Sequence, residues 1–188
     1  MTMRAVVTTP VTIEEFEKLV LPEDRIWELR DGEIVEVPFP NVTHRLLQNR
    51  ILHLFEQTFP SAQVLIEYPF QIEETNDKRS ADVAVTTRER TLEAVKRGVH
   101  LGAPELVVEV LFPSNTVQDM KQYRKLCFRY GTQIFLTVDE EDNTIEVHLQ
   151  VDRADCVLRI GDMLELSLFG DKKAIPVKAI FSEITYTE

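Results

Sequence analysis

Hydrophobic and polar positions repeat with two different periods along the chain. A period of three to four residues predicts amphipathic helices over residues 12–20, from Thr43 to Phe59, and from about Val117 to Tyr130. Two-residue alternation or short β-branched runs predict strands in the segments RIWELRDGEIVEV, QVLIEYPFQIEE, SADVAVTT, ELVVEVL, QIFLTVD and TIEVHLQ. Because helices and strands are interspersed, the pattern predicts a central mixed β-sheet flanked by helices.

Local signals set the limits of these elements. Thr12 and Glu15 have the spacing of a capping box, and Asp31-Gly32 is a strong hairpin turn signal. The charged segment RERTLEAVKRG predicts a helical turn or an ordered loop. The tail sequence ADCVLRIGDMLELSLFG predicts one more hairpin, with its turn at Gly161-Asp162.

Length and composition favour one soluble domain. The 188 residues are 44% hydrophobic, which is enough for a sizeable core, and no linker interrupts residues 1–188. The stretch from Thr2 to Pro22 lacks the pattern of a secretion signal, and no apolar run approaches the roughly 18 residues of a membrane span. We therefore expect a cytoplasmic protein without a membrane partner. Cys127 and Cys156 lie in apolar contexts and are predicted to be core residues.

The net charge of −11 limits the classes of function. Proteins that grip nucleic acid through their whole surface are usually basic, because neutralised phosphates supply most of the non-specific affinity. An acidic balance instead fits an enzyme, a metal site rich in carboxylates or a protein-interaction module. A nucleic-acid function would therefore need a local basic surface.

Two carboxylates stand out against the strand pattern. Glu109 lies in the middle of the apolar run ELVVEVL, and Asp82 opens the strand ADVAV 27 residues earlier. If the two strands are neighbours, both side chains meet at one place in the sheet, where Mg²⁺ would find the oxygen ligands that it prefers. A cation would also offset the cost of several kcal/mol for burying an ionised glutamate. The pattern alone leaves another interpretation open, in which Glu109 points to solvent and Asp82 is a turn residue.

The order of several short motifs adds a family resemblance. WELRDGEIVEV with the downstream His44, then SADVAV, ELVVEVLFPSNTVQD, a helix ending at Gly131 and QIFLTVD resemble the putative restriction endonucleases of the Uma-two type. This family is a branch of the PD-(D/E)XK nuclease superfamily, and the resemblance covers about residues 16–150. It implies a restriction-endonuclease-like core and metal-dependent hydrolysis of DNA phosphodiesters.

The resemblance also implies roles for individual residues. Asp82 and Glu109 take the two acidic positions of the motif, as catalytic residues and as ligands of Mg²⁺ or Mn²⁺, with the Val110 carbonyl as a further ligand. His44 matches a histidine of the family that would approach the cleft, although a surface or capping role is equally open. DNA is the implied substrate, and a homodimer is plausible because many nucleases of this fold cut both strands as pairs.

The catalytic lysine of the family pattern is missing. Leu111 occupies the usual position, two residues after Glu109, and Tyr123 occupies the alternative position on the following helix. Lys121 and Lys125 are weak candidates, because each lies about 200° around the helix from Tyr123 and is predicted to face solvent. Phe112 also stands where the family usually has a serine. The site is therefore predicted to be atypical, weakened or inactive.

Basic residues before and after the Asp82 strand are weak candidates for contacts to phosphate. Lys78 and Arg79 precede Asp82, and a mixed-charge run extends from Arg88 to Arg97. A solvated surface is the simpler interpretation of both groups. Three hypotheses remain: a Mg²⁺-dependent DNA endonuclease, a catalytically degenerate member that binds nucleic acid or protein, and an acidic interaction module.

Overall fold

A computed structural model describes residues 9–113 and 115–182. It contains ten strands and five α-helices in the described part of the chain. The helices are α1 (Ile13–Glu17), α2 (Val42–Thr58), α3 (Arg88–Arg97), α4 (Val117–Arg129) and α5 (Val177–Phe181). The strands are β1 (Ile26–Arg30), β2 (Glu33–Val37), β3 (Gln63–Ile72), β4 (Asp77–Thr86), β5 (Leu106–Val110), β6 (Ile134–Asp139), β7 (Thr144–His148), β8 (Cys156–Leu158), β9 (Met163–Leu168) and β10 (Asp171–Pro176).

Eight strands form one mixed sheet, which confirms the predicted α/β fold class. The hydrogen-bonded order is β2-β1-β4-β5-β6-β7-β8, with β3 also paired to β4. The β5–β6 pair is parallel, and the other pairs in this sheet are antiparallel. Strands β9 and β10 form a separate two-stranded sheet that packs into the same apolar core as α2 and α5. No helix of the described ranges is both long enough and apolar enough to cross a membrane.

Strand β4 changes partners along one edge. One of its edges pairs with β3 from Asp77 to Thr86. The other edge pairs with β5 only at Val83–Val85, and with β1 only at Lys78. Between these two contacts β1 and β5 diverge, since both use the same edge of β4. The gap between the two strands opens into a cleft.

Apolar residues fill two cores, one on each face of the sheet. The first core combines α2, α5 and the β9–β10 pair with residues such as Val83, Val85 and Leu136. The second lies under α4 and contains aromatic residues, including Tyr68, Phe70 and Phe135. Each sheet face is therefore covered, which agrees with the near-continuous apolar character of β5 and β6.

The hairpin β3–β4 exchanges the faces of its side chains halfway along its length. Val64 faces the first core, whereas Tyr68 and Phe70, also at even positions, face the second core. The strand register is the same on both sides of the exchange, but the pairing is interrupted at Glu67 and Asp82. Glu67 has a φ of +48°, and this left-handed conformation turns the chain over.

Two predictions from the sequence about the fold were wrong, and a third underestimated the length of a helix. Cys127 is buried as expected, but Cys156 is exposed, because β8 lies at the edge of the sheet. The predicted hairpin at Gly161-Asp162 does not form: β8 pairs with β7, and β9 pairs with β10 across Phe169-Gly170, where both residues have positive φ. The charged segment RERTLEAVKRG forms the ten-residue helix α3, capped by Thr87 and ended by Gly98.

Candidate active site

Asp82 and Glu109 meet where the pairing of β4 with β5 stops. The last paired row is Val83 with Val108, so Asp82 and Glu109 occupy the next row along the two strands. In that row, the two carboxylates accept hydrogen bonds from backbone N–H groups in place of the carbonyls of a paired strand. The Asp82 N–H donates to Glu109 Oε1 at 3.3 Å, and the Val110 N–H donates to Asp82 Oδ2 at 2.7 Å. The structure therefore brings together the two acids that the sequence singled out, with the Val110 backbone beside them.

Helix α2 fixes the other side of the Asp82 carboxylate. Gln48 Nε2 donates to Asp82 Oδ1 at 2.9 Å, and His44 Nε2 lies 3.1 Å from the same oxygen. His44 stands in the first turn of α2, where the Asn41 side chain caps its backbone N–H. His44 is 1% exposed, and its ring stacks on Phe112 at 4.3 Å between ring centroids. His44 is therefore a buried neighbour of Asp82, not a surface residue.

Glu67 brings a third carboxylate to the same row. Gln48 Nε2 donates to Glu67 Oε1 at 2.9 Å as well as to Asp82, so one amide group joins the two acids. The φ of +48° at Glu67 is rarely adopted by a residue with a side chain and costs about 1–3 kcal/mol. Glu67 lines the cleft together with Asp82 and Glu109. Backbone strain of this kind is common at functional sites.

A buried ion-pair cluster forms the wall of the cleft on the β1 side. Glu28 is 7% exposed and accepts hydrogen bonds from Arg79 Nε at 3.0 Å, Arg30 Nε at 2.9 Å and the Ser80 N–H at 3.0 Å. Arg79 has only 11% of its side chain exposed, and its guanidinium lies 4.2 Å above the centroid of the Tyr123 ring. The prediction that Arg79 lies on a solvated surface was therefore wrong. The reason is that Glu28 and Tyr123 enclose its charge.

The position of the missing lysine on α4 is occupied by a buried phenol. Tyr123 is 4% exposed, lines the cleft and donates its hydroxyl to the Ser80 carbonyl at 3.0 Å. Burial raises the pKa of Tyr123 well above its ordinary value, and Glu109 raises it further, so the phenol stays neutral near pH 7. Tyr123 therefore provides no positive charge and no ready base.

Neither lysine beside Tyr123 reaches the cleft. Lys121 is exposed and pairs with Asp152 at 3.0 Å. Lys125 is also exposed and lines an adjoining groove between α4 and the β1–β2 hairpin, but not the cleft itself. Lys78 pairs with Glu17 at 2.8 Å, away from the cleft lining. Among the described residues that line the cleft there is no lysine.

The cleft is strongly acidic. Its lining contains five carboxylate residues, Glu28, Glu67, Asp82, Glu109 and Asp119, but only two arginines, Arg30 and Arg79. Burial raises the pKa of Glu109 well above its ordinary value of 4.5, and the charge of Asp82 raises it further. Without a cation, Glu109 therefore holds its proton more tightly than a free carboxyl group does.

The oxygen donors of this site fit a hard divalent cation. Asp82 and Glu109 supply two converging carboxylates, and Mg²⁺ is usually held by one or two protein carboxylates, with waters and substrate phosphate as the other ligands. No group of three or more His, Cys, Asp or Glu side chains in residues 9–113 and 115–182 is arranged as a protein-only metal cage. The donor set therefore fits Mg²⁺ or Mn²⁺ better than a structural metal such as zinc.

Several residues of the site had no clear signal in the sequence. Gln48 lies one helical turn after His44, and this spacing alone could have pointed to it. Glu67 resembled any polar residue of a strand, because its residue type does not indicate a positive φ. Glu28 belonged to the opening motif, but its burial and its two arginine partners depend on contacts across the sheet.

Comparisons with known proteins establish the fold and the family. The crystal structure of "a putative nuclease belonging to DUF820" from Anabaena variabilis ATCC 29413 matches with a TM-score of 0.78, over 92% of this chain and 98% of that one. At 20% sequence identity, this likeness establishes a shared fold. Residues 13–174 match the Uma2 family, described as "Putative restriction endonuclease". No curated protein matches the chain.

The match covers most of the chain, so the protein belongs to the Uma2 family. This confirms the resemblance seen in the sequence. Family and fold together support a nuclease-type function.

Proposed function

We propose that the protein is a Mg²⁺-dependent or Mn²⁺-dependent DNA endonuclease that hydrolyses phosphodiester bonds in this cleft. The observation that carries the proposal is the convergence of Asp82 and Glu109 at the end of the β4–β5 pairing. Two ionised carboxylates side by side in a partly buried site repel each other, and a bound cation relieves that repulsion. Burial and the charge of Asp82 raise the pKa of Glu109, so ionisation of both acids together would favour a bound cation.

Asp82 and Glu109 would hold the metal ion, with the Val110 backbone beside them. A divalent ion at this position would supply positive charge to the phosphate and a water of lowered pKa. His44 and Gln48 both bond Asp82 Oδ1, so they fix the orientation of this carboxylate. Because a carboxylate oxygen only accepts, His44 Nε2 donates to Asp82, and Nδ1 is buried without a hydrogen-bond partner among the described residues.

DNA binding should depend on the cation. Five carboxylates against two guanidiniums in the cleft lining repel a phosphate, and a divalent ion reverses the local balance. We therefore expect the affinity for DNA to rise when Mg²⁺ or Mn²⁺ is added. Cleavage of both strands would require two active sites, so we also expect a homodimer on DNA.

A second candidate function is a binding protein that has lost catalysis. The observation in its favour is the lack of lysine among the described residues of the cleft, together with the neutral Tyr123 in the alternative lysine position. Such a protein would bind the cation and DNA without hydrolysis. An acidic interaction module would bind neither.

Isothermal titration calorimetry with MgCl₂ and MnCl₂ tests the metal site. The wild type should bind, and the double variant Asp82→Asn/Glu109→Gln should lose binding, since both charges are removed while the side-chain shapes remain. The double variant Glu56→Gln/Glu165→Gln is the matched control, because it removes two exposed carboxylates far from the cleft. Absence of binding by the wild type, or equal binding by both double variants, would contradict the metal site.

Incubation with supercoiled plasmid then separates the two candidate functions. We expect metal-dependent nicking by the wild type and none by Asp82→Asn/Glu109→Gln. If the wild type binds metal but never nicks the plasmid under varied metal and salt, the binding protein is the better assignment. Sedimentation with and without a DNA duplex measures the oligomeric state.

A further inference from the structure

Arg79 lines the cleft and has hydrogen-bond donors without a partner in the described part of the chain. Its Nε is bound to Glu28 at 3.0 Å, but its terminal nitrogens have no hydrogen-bond acceptor among the described residues. Asp77 Oδ1 lies 3.7 Å from Arg79 Nη1, which is too far for a hydrogen bond. Neither terminal nitrogen is among the buried polar atoms that lack a partner. Part of the exposed surface of this side chain therefore belongs to these nitrogens.

The guanidinium is held rigidly in this position. The Tyr123 ring covers one of its faces, Glu28 binds its inner edge, and Arg79 stands three residues before Asp82 on β4. A charge whose orientation is fixed in advance loses little freedom when it binds a ligand. Arginine also keeps its charge at any ordinary pH, and its planar fork matches the oxygens of a phosphate group.

The Arg79 guanidinium lies beside the position of the missing lysine on α4, which Tyr123 occupies. The cleft has a neutral phenol where the family pattern has a lysine, and the Arg79 guanidinium lies on that phenol. Of the two arginines that line the cleft, Arg79 is the one stacked on Tyr123, on the strand that carries Asp82. Positive charge is therefore delivered to this wall from β4 instead of from α4.

We propose that Arg79 contacts a non-bridging oxygen of the scissile phosphate and supplies the positive charge that the missing lysine would provide. The inference rests on the proposed nuclease function. Arginine is too weak an acid to give or take a proton here, so its contribution is electrostatic and the attacking water must lose its proton by another route.

The test compares Arg79→Met and Arg79→Lys with the control Arg88→Met. Arg88 lies near the other end of β4 and binds the Pro60 carbonyl, outside the cleft. Affinity for a fluorescein-labelled DNA duplex is measured by anisotropy at several salt concentrations in Ca²⁺, which accepts oxygen ligands in a looser geometry than Mg²⁺. Denaturing gels confirm that the duplex stays intact. Mn²⁺ affinity without DNA and the rate of plasmid nicking complete the measurements.

A phosphate contact should reduce the slope of log affinity against log salt by about one for Arg79→Met, with no change for Arg79→Lys or Arg88→Met. Nicking by Arg79→Met should fall about a hundredfold. Its Mn²⁺ affinity should stay the same or increase, because a positive charge near the carboxylates has been removed. If Arg79→Met proves unfolded by circular dichroism, Arg79→Gln replaces it in the same measurements.

A merely structural role for Arg79 predicts a different set of results. Mn²⁺ affinity would then fall together with nicking, and the salt slope would not change; either outcome overturns the inference. Metal binding and nicking by the wild type with an unchanged slope for Arg79→Met would overturn it and leave the proposed function intact. A wild type that binds the duplex but no metal, with the reduced slope for Arg79→Met, would overturn the nuclease proposal and leave the phosphate contact in place. A wild type that binds no DNA would remove both.

Discussion

The two halves of the β3–β4 hairpin differ although they share one strand register. In the half that pairs with β5, residues such as Val64, Val83 and Val85 pack into an aliphatic core, and ladder bonds satisfy the backbone. In the other half, Tyr68 and Phe70 face an aromatic core, and Arg79 lies buried beside Glu28. The exchange takes place at Glu67 and Asp82.

The difference shows how a regular sheet makes room for charged groups. In the aliphatic half, both faces of the sheet are covered by apolar residues, and a carboxylate there would be buried without a partner. The positive φ of Glu67 and the divergence of β1 from β5 break the regular sheet at one row. The acids lie at that row, where the interrupted ladder leaves backbone donors for them.

The largest change in stability should come from a substitution in the aromatic core, in the half of the hairpin that contains Arg79. Phe70→Ala should lower the free energy of unfolding by about 3–5 kcal/mol, because a fully buried ring is removed beside Tyr123. Val85→Ala in the aliphatic half should cost about 2 kcal/mol and leave metal binding unchanged. Urea denaturation and calorimetry with Mn²⁺ measure both effects. Equal loss of metal affinity in the two variants would show that the halves are not separate in function.

Removing the buried charge of Glu109 should stabilise the protein without metal. Glu109→Gln keeps an acceptor for the Asp82 N–H but ends the repulsion between the two acids, so we expect a gain on the order of 1 kcal/mol near pH 7. The folded-state pKa of Glu109 is raised, so its contribution to wild-type stability is complete below the ordinary value of 4.5 and is lost as pH rises through the folded pKa.

The advantage of Glu109→Gln over the wild type should therefore grow with pH. Urea denaturation in EDTA at a series of pH values above 4.5 measures this difference. Saturating Mg²⁺ should reverse the order, because the cation stabilises the ionised glutamate and not the amide. A constant difference at all pH values would contradict the raised pKa.

The variant Glu67→Gly should be more stable than Glu67→Ala by about 1 kcal/mol. Both substitutions remove the bond from Gln48, but only glycine adopts a φ of +48° without strain. At Lys78, which lies in the interior of β4 without a positive φ, glycine should instead be less stable than alanine. Thermal denaturation of the four variants gives the comparison. The same order at both positions would refute the backbone strain at Glu67.

The smallest effect should come from Lys121→Met. This lysine is exposed and its pair with Asp152 lies at the surface, so stability should change by less than about 0.5 kcal/mol. Metal affinity and plasmid nicking should remain those of the wild type. A tenfold loss of nicking would instead make Lys121 the missing catalytic lysine.

Much of the fold could be predicted from the sequence, because the faces of α2, α4 and most strands repeat with regular periods. The convergence of Asp82 and Glu109 was also predictable, because their strands are consecutive in the chain and consecutive strands are often neighbours in a sheet. The hairpin of β9 with β10 was missed, because two turn signals compete in the tail and the choice depends on the pairing of β8 with β7.

The wall of the cleft could not be predicted in the same way. Alternation along β4 places Arg79 on the same side as Val83, but the exchange of faces at Asp82 puts it against Tyr123 instead. Periodicity has no signal for a single left-handed residue such as Glu67. Roles assigned to Asp82, Glu109 and His44 stay predictions until metal binding and cleavage are measured.

The change of partners along β4 leaves backbone groups at Ser80 and Asp82 that side chains bond instead of a strand. Glu28 accepts from the Ser80 N–H, Tyr123 donates to the Ser80 carbonyl, and Glu109 accepts from the Asp82 N–H. These side chains therefore bond backbone groups that a neighbouring strand would otherwise pair, and those bonds form whether or not any phosphodiester is cut. A descendant that had given up hydrolysis would still need a hydrogen-bond acceptor at position 109, and glutamine could provide it in place of the acid.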